Sequence, residues 1–234
     1  MLAVMVLLIQ FGYGSFTIHN YVIFVHKFLP MKKRGWLFMS IMGIIVCSFV
    51  SDNLPKDFKA VLERAHLSFE APSGYASTKV IANDQVAYDY ALKLKDPDKK
   101  FEVRYLIMPL DSMLIEYKES LKDTSKTMID PNTLYEKMML VIALNAGGGT
   151  MPADGNMPEI QPFDSAAVKN EFNADWGGAV FITLGKEFGQ NYTACMIVGI
   201  HKNNVADAYY FYLAEEKSDI PDLMKGPFHS LKFK

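Results

Sequence analysis

The feature that most constrains this chain is a break in chemical character near residue 51. Residues 1–51 contain four basic side chains (Lys27, Lys32, Lys33 and Arg34) and no Asp or Glu. The whole chain has 24 basic and 26 acidic residues, so residues 52–234 hold 20 against 26, a formal charge of −6. Inside the first part, Met31-Lys32-Lys33-Arg34 precedes an almost unbroken apolar run from Gly35 to Val50. A basic start, an apolar stretch and small residues at its end compose a secretory signal. Positive charge stays on the cytoplasmic side while the chain that follows is translocated. The expectation is a signal peptide or membrane anchor over 31–51 and a single exported domain over 52–234.

Three outcomes are open for that segment. Cleavage after Ser48 would leave Val46 and Ser48 at the two positions that must be small. Alternatively, Cys47 would carry a lipid, because Ile44-Ile45-Val46-Cys47 loosely resembles a lipobox, although Val46 stands where Gly, Ala or Ser is usual. A retained anchor is the third outcome, with an apolar run short of the roughly 20 residues of a full span. Residues 1–30 are also apolar, broken at Thr17, His19 and Asn20. They read as the first helix of a two-helix membrane hairpin or as sequence upstream of a true start at Met31. The second reading is preferred, because Met31 opens a complete signal by itself. The protein is thus expected in the periplasm, secreted, or anchored facing outward, touching the membrane only through this segment.

The acidic balance of the domain excludes nucleic acid as a partner, because such binding needs clustered Lys and Arg at phosphates. Cysteine is limited to Cys47 and Cys195. Cys195 lies in the apolar run Ala194-Cys195-Met196-Ile197-Val198 and reads as a small buried hydrophobe.

Periodicity organises the domain into alternating helical and extended pieces. A helix is expected over Lys56–Ala65, then a short strand over Leu67–Ala71 stopped by Pro72-Ser73-Gly74. Val86–Leu94 and Phe101–Met108 alternate as two strands joined at Asp96-Pro97-Asp98-Lys99. Glu102 and Arg104 share one face there and are expected to pair. A helix follows over Asn132–Asn145 after the start signal Asp130-Pro131. Pro152 to Pro162 reads as a long loop, and Asp164–Phe172 as a helix capped by Asp164. Ala179–Leu184, Tyr192–His201 and Ala208–Ala214 are rich in β-branched and aromatic residues and read as strands. A short helix at Ile220–Met224 precedes Leu231-Lys232-Phe233. Helices before, between and after hairpin-joined strands predict an α+β fold, an antiparallel sheet flanked by helices.

This order resembles the Mog1/PsbP-like fold. The resemblance is carried by Phe69-Glu70-Ala71-Pro72-Ser73-Gly74-Tyr75 (an F-x-x-P-x-G-[YF] opening), the hairpin after it, and the late strands ending in a helix and Leu231-Lys232-Phe233. It covers about Lys56 to Lys234. It implies an α/β/α sandwich with a binding or assembly role and brings no shared catalytic residues.

Few residues suggest chemistry. Ala146-Gly147-Gly148-Gly149-Thr150 follows a helix and lacks the Lys of a phosphate loop, so it reads as a helix C-cap. Asp175 and Trp176 lie between a helix and a strand, where Asp175 could orient a polar ligand and Trp176 stack on it. The structural alternative has Asp175 capping turn amides and Trp176 plugging the sheet edge. Tyr209-Tyr210-Phe211-Tyr212 places aromatics on both faces of one strand. Tyr210 and Tyr212 would form an exposed interface patch or be covered by a helix. His66, His201 and His229 are scattered, so no metal site is expected, and His201 reads as a half-exposed strand terminator. Gly-x-Ser-x-Gly, His-Glu-x-x-His and Cys-x-x-Cys are absent, and no cofactor is implied. Asn191-Tyr192-Thr193 is a glycosylation sequon. The expected function is a non-catalytic binding or assembly domain whose partner is an envelope protein or a small ligand. The alternative is an envelope hydrolase or transferase centred on Asp175, with His201 beside it.

Overall fold

The computed structural model describes residues 54–123, 125, 127–149, 155 and 157–234. The readings of residues 1–30 and 31–51, of Cys47 and of the start at Met31 lie outside the described residues. No helix among the described residues is long and apolar enough to cross a membrane.

The fold is α+β. Helix α1 (Lys56–Arg64) buries Phe58 and Leu62, and β1 (Leu67–Phe69) follows it. Strands β2 (Tyr75–Ser77), β3 (Tyr90–Leu94) and β4 (Phe101–Pro109) form a meander. Helices α2 (Asp111–Ser120) and α3 (Tyr135–Ala146) lead to the two-residue edge strand β5 (Gln161–Pro162). Helix α4 (Ser165–Phe172), β6 (Trp176–Thr183), the single turn α5 (Lys186–Gly189), β7 (Ala194–Lys202) and β8 (Ala206–Ala214) come next. A single-turn α6 (Ile220–Leu223) and β9 (Leu231–Phe233) complete the chain.

Seven antiparallel strands make the main sheet in the order β2-β3-β4-β8-β7-β6-β5. The last long strand, β8, closes back between β4 and β7. Every residue of β8 is buried, which requires cover on both faces. On one face Tyr105, Tyr210 and Tyr212 pack with Phe58 and Leu62 of α1, Val168 and Phe172 of α4 and Ile220 of α6. Phe58 stacks on Tyr90 at 4.5 Å between ring centroids. On the other face Ile197, Tyr209 and Phe211 meet Met139, Ile142, Ala143 and Ala146 of α3 and Phe188 of α5. Strands β1 and β9 form a separate two-stranded ladder, with Leu67 opposite Phe233.

Two departures from the sequence reading have local causes. The expected strand over Val86–Leu94 starts only at Tyr90. Asn83 Oδ1 accepts from the amides of Gln85 and Val86, which turns the chain. The Asp89 carboxylate then accepts from Ile107 N at 2.7 Å, where a strand carbonyl would stand. Helix α2 carried no sequence signal strong enough to read, because it buries only Leu114 and Ser120. Elsewhere Asp164 accepts from Ala167 N at 2.9 Å and caps α4 as its sequence implies.

Candidate functional site

The neighbourhood of Asp175 is built by ladder register. Trp176 stands opposite His201, and His201 stands opposite Asp207, so three side chains line up across β6, β7 and β8. Tyr135, the first residue of α3, closes over them: its ring lies 4.4 Å from His201 and 4.7 Å from Trp176 between centroids. His201 Nδ1 is 2.6 Å from Asp207 Oδ1, and Nε2 is 3.2 Å from Asn203 Oδ1. The Asn203 side-chain amide donates in turn to Asp175 Oδ2 at 3.2 Å, and its backbone amide donates to the same oxygen at 3.0 Å. Lys169 Nζ reaches Asp175 Oδ1 at 3.3 Å. The chain from Asp207 to Lys169 is thus continuous.

Its accessibility decides what it can do. His201 is 1% exposed and Asp207 3%, so neither presents an atom to a substrate. Both ring nitrogens of His201 are already opposite oxygens. The half-exposed terminator expected of His201 is corrected: the cross-strand carboxylate and the Tyr135 ring enclose it. Asp175 is exposed, but its oxygens hold the β7–β8 turn and Lys169. Burial opposes ionisation of Asp175, yet the Asn203 amide and Lys169 outweigh it and hold the carboxyl below its usual range. The turn is fixed from its other side as well, where Asn204 N donates to Asn132 Oδ1 at 2.7 Å. Trp176, on the penultimate strand β6, is half-buried against Tyr135 on the α3 face of the sheet. The geometry is that of a turn cap at Asp175 and a ring packed on the sheet face at Trp176.

Tyr210 and Tyr212 form no surface patch. Both are fully buried on the opposite face from His201, because α1, α4 and α6 cover that face. Tyr210 donates to Leu231 O at 3.1 Å, and burial pushes both phenols well above their ordinary range.

A second buried polar group sits on the α3 face at the far end of β4. Arg104 is 1% exposed, with Nε 2.6 Å from Glu102 Oε1 and Nη1 donating to Phe188 O. Its guanidinium carbon lies 4.9 Å from the Tyr88 ring centroid and 4.7 Å from that of Phe188, in the corner where the two rings meet edge to face. The expected Glu102–Arg104 pair exists, enclosed rather than on the surface. Tyr192 stands against it, and burial, then the Glu102 charge, raises that phenol well above its usual range.

Tyr192 also forms the wall of an open cleft of about 590 Å³, lined further by Asn191, Lys93, Lys95, Lys99 and Lys100. It lies where the β3–β4 turn meets the connection from α5 to β7. Sequence reading missed it, because its four lysines look like an ordinary solvated turn until the fold brings Asn191 and Tyr192 beside them.

Among the described residues no group of three or more His, Cys, Asp or Glu is placed to hold a metal ion. Cys195 is fully buried, and that burial pushes its thiol up, away from the thiolate. His229 pairs with Glu171, with Nε2 2.8 Å from Oε2, a contact between residues 58 positions apart. No protein-family model matches the chain, and no curated protein matches it significantly.

Proposed function

We propose that the chain is an exported envelope protein whose domain binds a partner protein or small ligand and catalyses no reaction, on an α/β/α sandwich of the Mog1/PsbP-like kind. One observation carries the reading. The residues best suited to acid–base chemistry, His201, Asp207 and Asp175, are committed to each other and to the β7–β8 turn through Asn203. A general base must come within hydrogen-bond reach of a substrate proton, and His201 is sealed beneath Tyr135. The same geometry disfavours a hydrolase or transferase centred on Asp175. Export rests on the basic cluster and apolar run of residues 31–51.

The test has two parts. Protease added to intact spheroplasts of the native host should digest the domain, while a cytoplasmic marker survives. The full-length protein should turn over none of a set of chromogenic esters, phosphate monoesters and glycosides. Protection of the domain from protease would overturn export. Turnover that disappears in Asp175→Asn or His201→Gln would overturn the non-catalytic reading.

A further inference from the structure

We infer that the cleft walled by Tyr192 is a binding site for a small multivalent anion, an assignment that rests on the binding reading above and names its ligand class. The first argument is charge. Four lysines line the cleft against two carboxylates, Asp96 and Glu215, a formal surplus of two positive charges. The domain around it carries −6 over residues 52–234. A positive cleft in an acidic body concentrates anions locally, and its flanks repel them elsewhere.

The second argument is that no ion pair among the described residues engages Lys93 or Lys95. Lys93 stands directly opposite Glu102 in the β3–β4 ladder. Opposite charges in that position ordinarily pair across the strands. Here Glu102 turns away to Arg104 at 2.6 Å, and Tyr192 adds its hydroxyl to the same carboxylate. A carboxylate beside the cleft is thereby neutralised from behind, and Lys93 keeps its charge for the opening. Lys95 is pinned through its backbone, its amide donating to Gly74 O at 2.9 Å, which leaves its side chain for the cleft. Lys100 pairs with Glu215 at 3.0 Å. Lys99 feels the charge of Asp222, a carboxylate that Lys225 already holds at 2.6 Å.

The third argument is shape. Pockets of roughly 300–1,000 Å³ suit small molecules, and the cleft falls within that range at about 590 Å³. The buried Tyr192 ring offers a rigid wall, and Asn191 offers an uncharged donor at the rim. Together these fit a compact ligand with two or more negative charges, either phosphate or carboxylate groups.

Calorimetric titration of the full-length protein in a non-ionic detergent tests the assignment, with pyrophosphate and citrate as probes. One-to-one binding of at least one probe with Kd below about 1 mM is expected at low salt. That affinity should fall steeply as ionic strength rises, since the lysines are exposed and screened within a Debye length of about 10 Å at 0.1 M. Preference for pyrophosphate or for citrate identifies the phosphate or the carboxylate chemistry. The double variant Lys93→Gln/Lys95→Gln should weaken binding by about tenfold or more, while Lys118→Gln/Lys137→Gln on α2 and α3 should leave it unchanged. No saturable binding of either probe, or equal binding by both double variants, overturns the cleft. Release of inorganic phosphate from bound pyrophosphate would instead overturn the non-catalytic reading and leave the cleft standing.

Discussion

His201 and Asp207 face each other across β7 and β8 with Nδ1 and Oδ1 2.6 Å apart, and both are sealed from solvent. A buried polar pair costs desolvation that is recovered only while both partners are present. Removing one leaves the other orphaned. Asp207→Ala is therefore expected to destabilise the domain by on the order of 3 kcal/mol, and His201→Ala by a similar amount. The double variant should lose much less than the sum, with a coupling of about 1–3 kcal/mol. Urea unfolding of the four proteins measures this, and strict additivity would show that the pair is not coupled.

Arg104 is held by shape as well as by charge. The planar guanidinium fits the corner made by the perpendicular rings of Tyr88 and Phe188 while reaching Glu102 and the Phe188 carbonyl. Lysine's compact ammonium lacks the planar fork and flat face with which arginine meets both rings and both acceptors in that corner. Arg104→Lys should thus destabilise by about 2 kcal/mol or more despite keeping the charge. Arg104→Met with Glu102→Leu, which removes both charges and keeps the volume, should be milder than Arg104→Lys. Thermal unfolding with both variants checks the order, and the reverse order would show that charge alone holds Arg104.

The architecture was legible where one residue type dominates a local choice. Asp164 announced the cap of α4, and the β-branched runs announced β6, β7 and β8. Glu102 and Arg104 were legible as a pair because period two puts them on one face. What stayed hidden depends on contacts between distant segments. His201 looked like a strand end until Tyr135, 66 positions earlier in the chain, closed over it. Tyr210 and Tyr212 looked like surface candidates because sequence alternation cannot say whether both faces of a strand are covered. The cleft needs the β3–β4 turn and Asn191-Tyr192 together, and no local pattern joins them.

Two carboxylates should give opposite pH dependences. Burial raises the pKa of Asp89 above the usual carboxylate value, against the lowering effect of the Ile107 amide. The native state then holds a proton after the unfolded chain has lost its own. Stability falls as pH rises from about 3.8 through the folded pKa, then levels off. Asp175 is depressed, so its contribution is present above the unfolded value and is lost as pH falls through the folded pKa. In urea midpoints between pH 3 and pH 7, Asp89→Asn should steepen the gain of stability with rising pH. Asp175→Asn should flatten it at the acid end. If neither variant changes the profile, the two carboxyls titrate alike in both states.

Gly185 tests how the end of α3 is fixed against the sheet. The helix runs into Gly147, Gly148 and Gly149, with φ of +109° at Gly148 and +74° at Gly149. Gly185 N donates to Ala146 O at 2.8 Å, bringing the two loops into backbone contact. A Cβ added at Gly185 would lie 2.6 Å from Gly148 N and 2.7 Å from its Cα. Backbone atoms cannot swing aside as a side chain can, so Gly185→Ala must push the loops apart. A loss of about 1–3 kcal/mol is expected, together with faster hydrogen exchange at the end of α3. Gly74→Ala meets no neighbouring atom and keeps only the penalty of its φ of +81°, which should cost about 1 kcal/mol. Gly185 itself has an ordinary φ of −70°, so a loss there no larger than at Gly74 would show that the loops yield to the added Cβ at little cost.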